Sequence, residues 1–163
     1  MAADSSFDVV SDFDQPELVN ALDQARREIA TRYDFKGSKV AFELTKDALM
    51  LTADDEYRAG VAKDLLESKA VRRGLSLKIF DWGKIEPAGG GTVRQEIKLT
   101  RGLTSEQAKE LSKRIREAFP KTKPLIQGDA VRVTAKSKDD LQAVIAHLRA
   151  LDYPVALQFT NYR

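Results

Sequence analysis

The chain has 163 residues, of which 42% are hydrophobic and 32% charged, a composition typical of a globular protein rather than a disordered one. This length accommodates one ordinary domain or two small ones. The absence of cysteine excludes disulfides and thiolate metal sites. No apolar run approaches the roughly 20 residues that span a bilayer, and the acidic N-terminus lacks signal-peptide features. We therefore expect a cytoplasmic protein without membrane contact.

The net charge of +2 is unevenly distributed along the sequence. Residues 1–93 hold 13 Lys and Arg against 17 Asp and Glu, whereas residues 94–163 hold 14 against 8. A basic C-terminal half is suited to contact phosphates. The alternative is an ordinary solvated surface, because a dedicated phosphate-binding domain is usually more lopsided in charge.

Hydrophobic periodicity predicts six elements before residue 83. In chain order they are a strand (7–11), a helix from Pro16 to Tyr33, two hairpin strands (39–45 and 48–53), a helix from Asp54 to Gly74, and a strand (75–82). Residues 83–92 contain three consecutive glycines after a proline, which is typical of a flexible linker.

The same pattern then begins again. A strand (93–100) precedes a helix whose Thr104 and Gln107 form a capping-box signature. Gly128-Asp129 predicts a hairpin turn, Ser137 caps a last helix, and residues 155–162 form a final strand.

The repeated order predicts an α+β protein made of two ferredoxin-like domains of the βαββαβ type, each an antiparallel sheet covered by two helices. The expected boundaries are 1–82 for the first domain, 83–92 for the linker and 93–163 for the second domain. The pattern leaves open whether the N-terminal strand crosses into the other sheet. The alternative architecture is one continuous sheet.

Few residues have the character of a catalytic or metal centre. The single histidine, His147, lies beside the apolar stripe of a helix, and no phosphate-binding glycine motif occurs. Asp54-Asp55-Glu56 is better explained by the dipole at a helix N-terminus than by metal binding. We expect no enzymatic activity, no metal and no cofactor. The alternative is a nucleotide hydrolase or transferase that uses carboxylates alone.

The ferredoxin-like sheet invites comparison with RNA-recognition domains, which stack bases on aromatic side chains of the open sheet face. The strands 48–53 and 130–135 carry no aromatic residue, which argues against that mode. Aromatic and cationic residues adjoin elsewhere, as stacking on a base beside a phosphate requires. These candidates are Arg32, Phe35, Lys36, Trp82 and Phe159. The alternative for each aromatic residue is packing between domains.

A second set of candidates is basic. Alternation along 130–135 places Arg132 on the face opposite Val131 and Val133. We expect Arg132, Lys136, Lys138 and Lys98 to contact phosphates on one open sheet face. The alternative is that these cations pair with carboxylates of the acidic N-terminal half. We also expect the ligand to lie between the domains, with Trp82 stacking on a base.

Five segments spread over essentially the whole chain match the pattern of a known family; they are Ser6–Ser11, Arg32–Lys36, Ile126–Thr134, Lys136–Val144 and Gln158–Arg163. On these segments the sequence resembles the YajQ family of bacterial nucleotide-binding proteins. The resemblance implies two ferredoxin-like domains that bind nucleotides or RNA and, in part of the family, cyclic di-GMP. The sequence departs from the family pattern at Tyr33, Thr160 and Tyr162, where phenylalanine, lysine and phenylalanine are expected.

The interpretation of the whole sequence is a non-catalytic protein that binds a nucleotide, a cyclic dinucleotide or RNA, with a signalling role where cyclic di-GMP is the ligand. The alternative is a protein–protein interaction module without a nucleotide ligand. Either function is compatible with a further protein partner.

Overall fold

A computed structural model describes residues 4–163. In chain order the elements are β1 (Ser5–Val10), α1 (Gln15–Thr31), β2 (Ala41–Leu44), β3 (Ala48–Ala53), α2 (Glu56–Arg72), β4 (Phe80–Pro87), β5 (Val93–Leu99), α3 (Ser105–Ala118), β6 (Lys123–Gln127), β7 (Ala130–Ala135), α4 (Lys138–Ala150) and β8 (Gln158–Thr160). The strands form two four-stranded antiparallel sheets, so the predicted α+β class with two ferredoxin-like domains is confirmed.

The chain divides into two compact units. The terminal unit combines the segment that ends at Asp12 with Arg101–Arg163, and the inserted unit is Phe13–Thr100. The insertion lies between the first strand and the first helix of the terminal unit. The domain boundaries therefore lie near residues 12 and 100 rather than at 83–92.

The sheet of the terminal unit has the order β6-β7-β1-β8, so β1 is a central strand. Phe7 lies opposite Val133 on β7, and Val9 lies opposite Phe159 on β8. Phe7 and Val9 are fully buried together with apolar residues of α3 and α4. The N-terminal strand thus crosses into the sheet of the second half, which is the possibility that the sequence pattern left open.

The sheet of the inserted unit has the order β2-β3-β5-β4. Here β5 lies between β3 and β4, as β1 lies between β7 and β8 in the terminal unit. The inserted unit is therefore a ferredoxin-like domain whose central first strand comes last in the chain. Leu49, Leu51 and Ile97 face the helices and are almost completely buried.

Residues 83–92 form a hairpin within one sheet, so the predicted linker is wrong. They include the end of β4 and a short turn at Gly89–Gly91, and β4 pairs with β5 up to Pro87 opposite Val93. Gly90 and Gly91 have φ values of 75° and 77°, a conformation that glycine adopts at little cost. Consecutive glycines suit a tight turn as well as a linker, and local composition does not distinguish the two.

The structural boundaries also remove most of the charge asymmetry. The terminal unit holds 12 Lys and Arg against 10 Asp and Glu, and the inserted unit holds 15 of each. The basic excess of residues 94–163 largely disappears because Asp4, Asp8 and Asp12 belong to the terminal unit, whereas Arg94 and Lys98 belong to the inserted unit. Net charge therefore does not single out either unit as the phosphate-binding one.

The predicted helix caps are present. Thr104 accepts a hydrogen bond from the backbone N–H of Gln107, whose side chain accepts one from the N–H of Thr104. Ser137 caps α4, and Asp55 caps α2 by accepting from the N–H of Arg58 at 2.8 Å. Within residues 4–163, every helix is too short or too polar to cross a membrane.

Candidate functional site

The open face of the inserted sheet carries alternating charges along its central strand. On β5 the exposed residues Arg94, Glu96 and Lys98 alternate with the buried Gln95 and Ile97. Strand alternation turns one set toward the helices and the other toward solvent. The sequence of β5 thus builds a charged outer face and a packed inner face in seven residues.

This open face is concave. A cavity of about 380 Å³, which we call the sheet-face pocket, is lined by Met50, Asp81, Gly83, Lys84, Glu86, Arg94, Glu96 and Lys98. Three lining residues are cations, three are carboxylates, and Met50 contributes an apolar surface. The register places Asp81 opposite Lys98 and Glu86 opposite Arg94.

The cations and carboxylates of the sheet-face pocket do not form ion pairs with one another. No ion pair of 4 Å or less joins its three cations to its carboxylates in the described part of the chain. Cations and acceptors on such a surface remain available to a ligand that carries both phosphates and hydrogen-bond donors.

An irregularity in β4 shapes the pocket. The pairing of β4 with β5 shifts between Trp82 and Ile85, as a β-bulge does. The side chain of Gln95, only 7% exposed, donates from Nε2 to the carbonyl oxygen of Gly83 at 2.8 Å. A Cβ at Gly83 would lie 2.8 Å from the carbonyl oxygen of Glu96, so the two strands approach too closely for any other residue. The bulge brings Gly83 and Lys84 to the pocket.

The open face of the terminal sheet has a different structure. Arg132 on β7 donates from Nε and Nη2 to the two carboxylate oxygens of Asp8 on β1, at 2.9 and 3.3 Å. Asn161 donates from Nδ2 to the same carboxylate at 2.8 Å. Asp8 is 7% exposed, and the Arg132 guanidinium holds the pKa of its carboxyl below the usual value. We call this group the Asp8 cluster.

The C-terminus completes the Asp8 cluster. Asn161 has a φ of 56°, the left-handed conformation that asparagine tolerates better than most residues. Beyond it the chain returns to β1, where the N–H and C=O of Ser6 bond to Arg163, each at 3.0 Å. Asn161 is thus an extra residue in the strand whose side chain is turned toward Asp8.

The predicted basic residues divide between the two units. Arg132 lies on the open face of the terminal sheet as predicted, although its guanidinium is paired with Asp8, as the alternative interpretation expected. Lys136 and Lys138 are exposed beyond the end of β7 in the same unit. Lys98 belongs to the inserted sheet, so its predicted convergence with Arg132 on one sheet face is wrong. The error has one cause, which is the assignment of β5 to the second domain.

The segment after α1 exposes a different aromatic residue from the one predicted. Phe35 is 5% exposed and packs in the inserted unit, whereas its neighbour Tyr33 is 91% exposed. Arg32 makes two 2.9 Å contacts with the carboxylate of Asp34, and its guanidinium lies 5.8 Å from the Phe35 ring centre. Lys36 is exposed.

The two remaining aromatic candidates face the helices of their sheets. Trp82 lies within β4 rather than at a linker, with Lys63 Nζ of α2 4.9 Å from the centre of its ring. Its Nε1 is buried and has no hydrogen-bond partner. Phe159 lies opposite Val9 and is covered by the Arg149 guanidinium at 5.5 Å. Trp82 and Phe159 belong to different units.

Asp54, which begins the acidic segment before α2, and the histidine His147 both make structural contacts. Asp54 accepts hydrogen bonds from the Ser38 hydroxyl and from the N–H of Lys39, which lowers the pKa of its carboxyl. His147 is exposed on α4 and packs edge-on against Phe119 at 5.5 Å. Residues 4–163 contain no group of three or more histidine, cysteine or acidic side chains placed to hold a metal ion.

Sequence reasoning missed most of the sheet-face pocket. The sequence pattern places Lys84 in a linker and selects neither Arg94 nor Glu96, although both alternate with buried residues as Lys98 does on the same strand. Once β5 is paired with β4, the alternation along β5 is sufficient to identify Arg94 and Glu96. Local composition gives no signal for that pairing, because consecutive glycines suit a turn and a linker equally.

Comparisons with known proteins agree over the whole chain. A family model described as nucleotide-binding protein YajQ-like matches residues 5–163. A protein of Synechococcus elongatus named as a nucleotide-binding protein is 60% identical over 163 residues, covering all of both chains. Similarly named proteins of Thermosynechococcus vestitus and Chloroflexus aurantiacus are 59% and 58% identical, again over the full length of both chains.

Proposed function

Because the chain belongs to the YajQ-like family of nucleotide-binding proteins, we propose that it binds a nucleotide in the sheet-face pocket of the inserted unit and leaves the nucleotide chemically unchanged. The observation that carries the proposal is a concave sheet face whose three cations, Lys84, Arg94 and Lys98, are not paired with its carboxylates.

The lining of the pocket fits the parts of a nucleotide. Arg94 and Lys98 each lie two residues from Glu96 along β5. From these positions they can hold phosphate oxygens by charge-assisted hydrogen bonds. Glu96 lies between them and accepts hydrogen bonds from amino groups of a base or hydroxyls of a ribose. Met50 offers a polarisable apolar surface on which a base can rest. The volume of about 380 Å³ falls within the range of small-ligand sites.

Binding without turnover is part of the proposal. The chain has no cysteine and a single histidine, which lies on α4 of the terminal unit and is not among the residues that line the sheet-face pocket. Asp54 accepts a hydrogen bond from the Ser38 hydroxyl, and Asp55 caps the start of α2, so both carboxylates have structural contacts. These contacts support a binding role.

The ligand class extends to cyclic dinucleotides and RNA. Cyclic di-GMP is the first ligand to test, because the family resemblance implies it for part of the family, and with it a signalling role. Short RNA is the second. The other predicted contacts, which are Arg32, Phe35, Lys36, Trp82, Arg132, Lys136, Lys138 and Phe159, remain proposals, and the cations Lys36, Lys136 and Lys138 among them are exposed.

Calorimetry tests the proposal with ATP, GTP, cyclic di-GMP and a short RNA on the wild type and on the Arg94→Ala/Lys98→Ala variant. We expect at least one ligand to bind, and its affinity to fall about tenfold or more in the variant, since two charge-assisted contacts are lost. Lys109→Ala/Lys113→Ala is the matched control, because it removes two exposed cations from α3 of the other unit. We expect the control to bind within about twofold of the wild type.

Three results contradict the proposal. Full affinity in the Arg94→Ala/Lys98→Ala variant would remove the sheet-face pocket as the site while leaving nucleotide binding intact. Absence of binding to all four ligands would favour the alternative function, a protein–protein interaction module. Release of a hydrolysed or transferred product during the titration would show that the protein is an enzyme.

A further inference from the structure

A second concave surface lies on the helices of the inserted unit. This helix-side groove, of about 570 Å³, is lined by residues of α1 and by the C-terminal end of α2. Four lining residues are basic, and one is acidic; these are Arg27, Lys69, Arg72, Arg73 and Glu28. The remaining lining residues are neutral, so the groove has an excess of three positive charges, in contrast to the balanced charges of the sheet-face pocket.

Two of the four cations have carboxylate partners. Lys69 Nζ lies 3.6 Å from Glu28, and Arg73 Nη1 lies 3.8 Å from Glu17. Both distances exceed those of a tight charge-assisted hydrogen bond, which measures about 2.7–2.9 Å. These two pairs fix the side chains of Lys69 and Arg73 only loosely.

The other two cations are arginines without carboxylate partners. Arg27 on α1 and Arg72 on α2 are exposed, and no acidic group lies within 4 Å of either guanidinium in the described part of the chain. Elsewhere in the same unit, Arg26, Arg32 and Arg58 are each paired with an aspartate two or three residues away. Like Arg94 of the sheet-face pocket, Arg27 and Arg72 have no carboxylate partner, and they lie on two helices that line one groove.

The helix dipole accounts for only part of this cluster. Lys69 and Arg72 lie in the last turn of α2, where positive charge is favourable. Arg27 lies before the last turn of α1, which holds no basic residue, so the dipole does not explain it. The dipole at a helix C-terminus also disfavours an anion, so an anion in this groove must be held by side chains.

We propose that the helix-side groove binds the phosphates of an extended polyanion, at a site separate from the sheet-face pocket. Guanidinium groups bind phosphate oxygens in a bidentate manner, and two free arginines on neighbouring helices suit two successive phosphates better than one. Lys69 and Arg73 add positive charge along the groove, since their carboxylate partners are distant enough to be exchanged for phosphate. The shared chemistry is a chain of closely spaced phosphates, from a nucleic acid backbone or from inorganic polyphosphate.

The test uses the full-length protein with two labelled probes, a short oligothymidine and inorganic polyphosphate of similar phosphate number. Fluorescence anisotropy measures the affinity between about 50 and about 200 mM salt, over which counterion release weakens polyanion binding steeply. We expect Arg27→Ala/Arg72→Ala to lower the affinity about tenfold or more at low salt. We also expect a shallower slope of log affinity against log salt concentration, by the amount that corresponds to about two lost phosphate contacts.

Matched variants separate this site from ordinary surface charge and from the nucleotide pocket. Lys109→Ala/Lys113→Ala removes the same charge from α3, and Arg94→Ala/Lys98→Ala removes it from the sheet-face pocket. We expect Lys109→Ala/Lys113→Ala to keep polyanion affinity within about threefold of the wild type, and Arg94→Ala/Lys98→Ala to lose less affinity than Arg27→Ala/Arg72→Ala. Arg27→Lys/Arg72→Lys keeps the charge but loses the planar fork, and we expect it to bind with intermediate affinity. Unchanged far-ultraviolet circular dichroism and melting temperature establish that the variants are folded.

Binding of either probe with these effects supports the proposal, and the probe that binds identifies the source of the phosphates. Equal losses in all three alanine variants would overturn it, because the binding would then follow net charge alone. Absence of wild-type binding to both probes at low salt would also overturn it. The nucleotide proposal is tested separately, by the effect of Arg94→Ala/Lys98→Ala on the calorimetric binding of ATP, GTP and cyclic di-GMP, which are not extended polyanions.

Discussion

The open faces of the two sheets differ although the two units share one strand order. In the terminal unit the centre of the face is occupied by the Asp8 cluster, in which Arg132 and Asn161 both donate to one nearly buried carboxylate. In the inserted unit the corresponding face is hollow, and Arg94, Glu96 and Lys98 lie exposed along its central strand.

The difference shows what each face does with its charges. The Asp8 cluster joins β1, β7 and the C-terminus, segments that are far apart in sequence, so its charges stabilise the fold. The charges around the sheet-face pocket make no comparable bonds, so removing one of them leaves little unsatisfied. Charge on an open sheet face thus indicates a ligand site only where the charge lacks an internal partner.

The largest effect is expected for Asp8→Ala. The substitution leaves the Arg132 guanidinium and the Asn161 amide without their acceptor, and we expect the free energy of unfolding to fall by about 2–3 kcal/mol. Glu96→Ala on the other face should change it by about 0.5 kcal/mol or less. Urea unfolding followed by circular dichroism measures both. Equal effects of the two substitutions would erase the contrast between the faces.

Gly83→Ala is expected to have the next largest effect. The added Cβ must displace the carbonyl of Glu96, which forces β4 and β5 apart and costs about 1–2 kcal/mol. It should also weaken nucleotide binding, because Gly83 lines the pocket. Gly60→Ala is the control, since nothing lies within 4 Å of its Cβ and it occupies α2. We expect the control to raise stability by about 0.5–1 kcal/mol, so a stabilising Gly83→Ala would refute the close approach of the strands.

The pH dependence of stability sharpens the comparison further. Because the pKa of the Asp8 carboxyl is lower in the folded protein than in the unfolded chain, its contribution to stability is complete above the unfolded value of about 3.9 and is lost as the pH falls through the folded value. Asp8→Asn should therefore flatten the acid limb of the stability curve, measured by melting temperature between about pH 2 and 6. An Asp8→Asn curve parallel to that of the wild type would show that Asp8 has no such role.

The smallest effect is expected on the helix-facing side of the inserted sheet. Lys63→Ala removes the cation above the Trp82 ring and should cost about 0.5–1 kcal/mol of stability. It should shift the fluorescence of Trp82, the only tryptophan, while nucleotide affinity stays within about twofold of the wild type. A tenfold loss of affinity would instead move the nucleotide site to the Trp82 side of the sheet.

Much of the fold was predictable from local sequence. The strands β3 and β7 occur at the predicted residues, and the caps at Thr104 and Ser137 are those expected. These features depend on side-chain alternation and on hydrogen bonds between residues a few positions apart. The pairing of β5 was not predictable in the same way, because a strand with one apolar face can complete either sheet.

The candidate site was less predictable, since it depends on that pairing. Arg132 was correctly placed on an open face, but its partner Asp8 lies 124 residues away and only the tertiary structure shows that the charge is engaged. Phe35 and Tyr33 illustrate the same limit. Both occur in one short segment, and only packing determines that Phe35 is buried while Tyr33 is exposed.

The insertion of one unit within the other has a consequence for synthesis on the ribosome. The inserted unit is contiguous, so all of its strands have emerged once Leu99 has left the exit tunnel, and domains that are complete can fold during translation. β1 is synthesised first, but its partner strand β7 follows much later, since Arg132 lies 124 residues after Asp8. Synthesis of these residues takes roughly 6–25 s at bacterial elongation rates. During that interval Phe7 and Val9 belong to an unpaired strand beside a finished domain, which makes this segment of the nascent chain the one most in need of protection from wrong pairing.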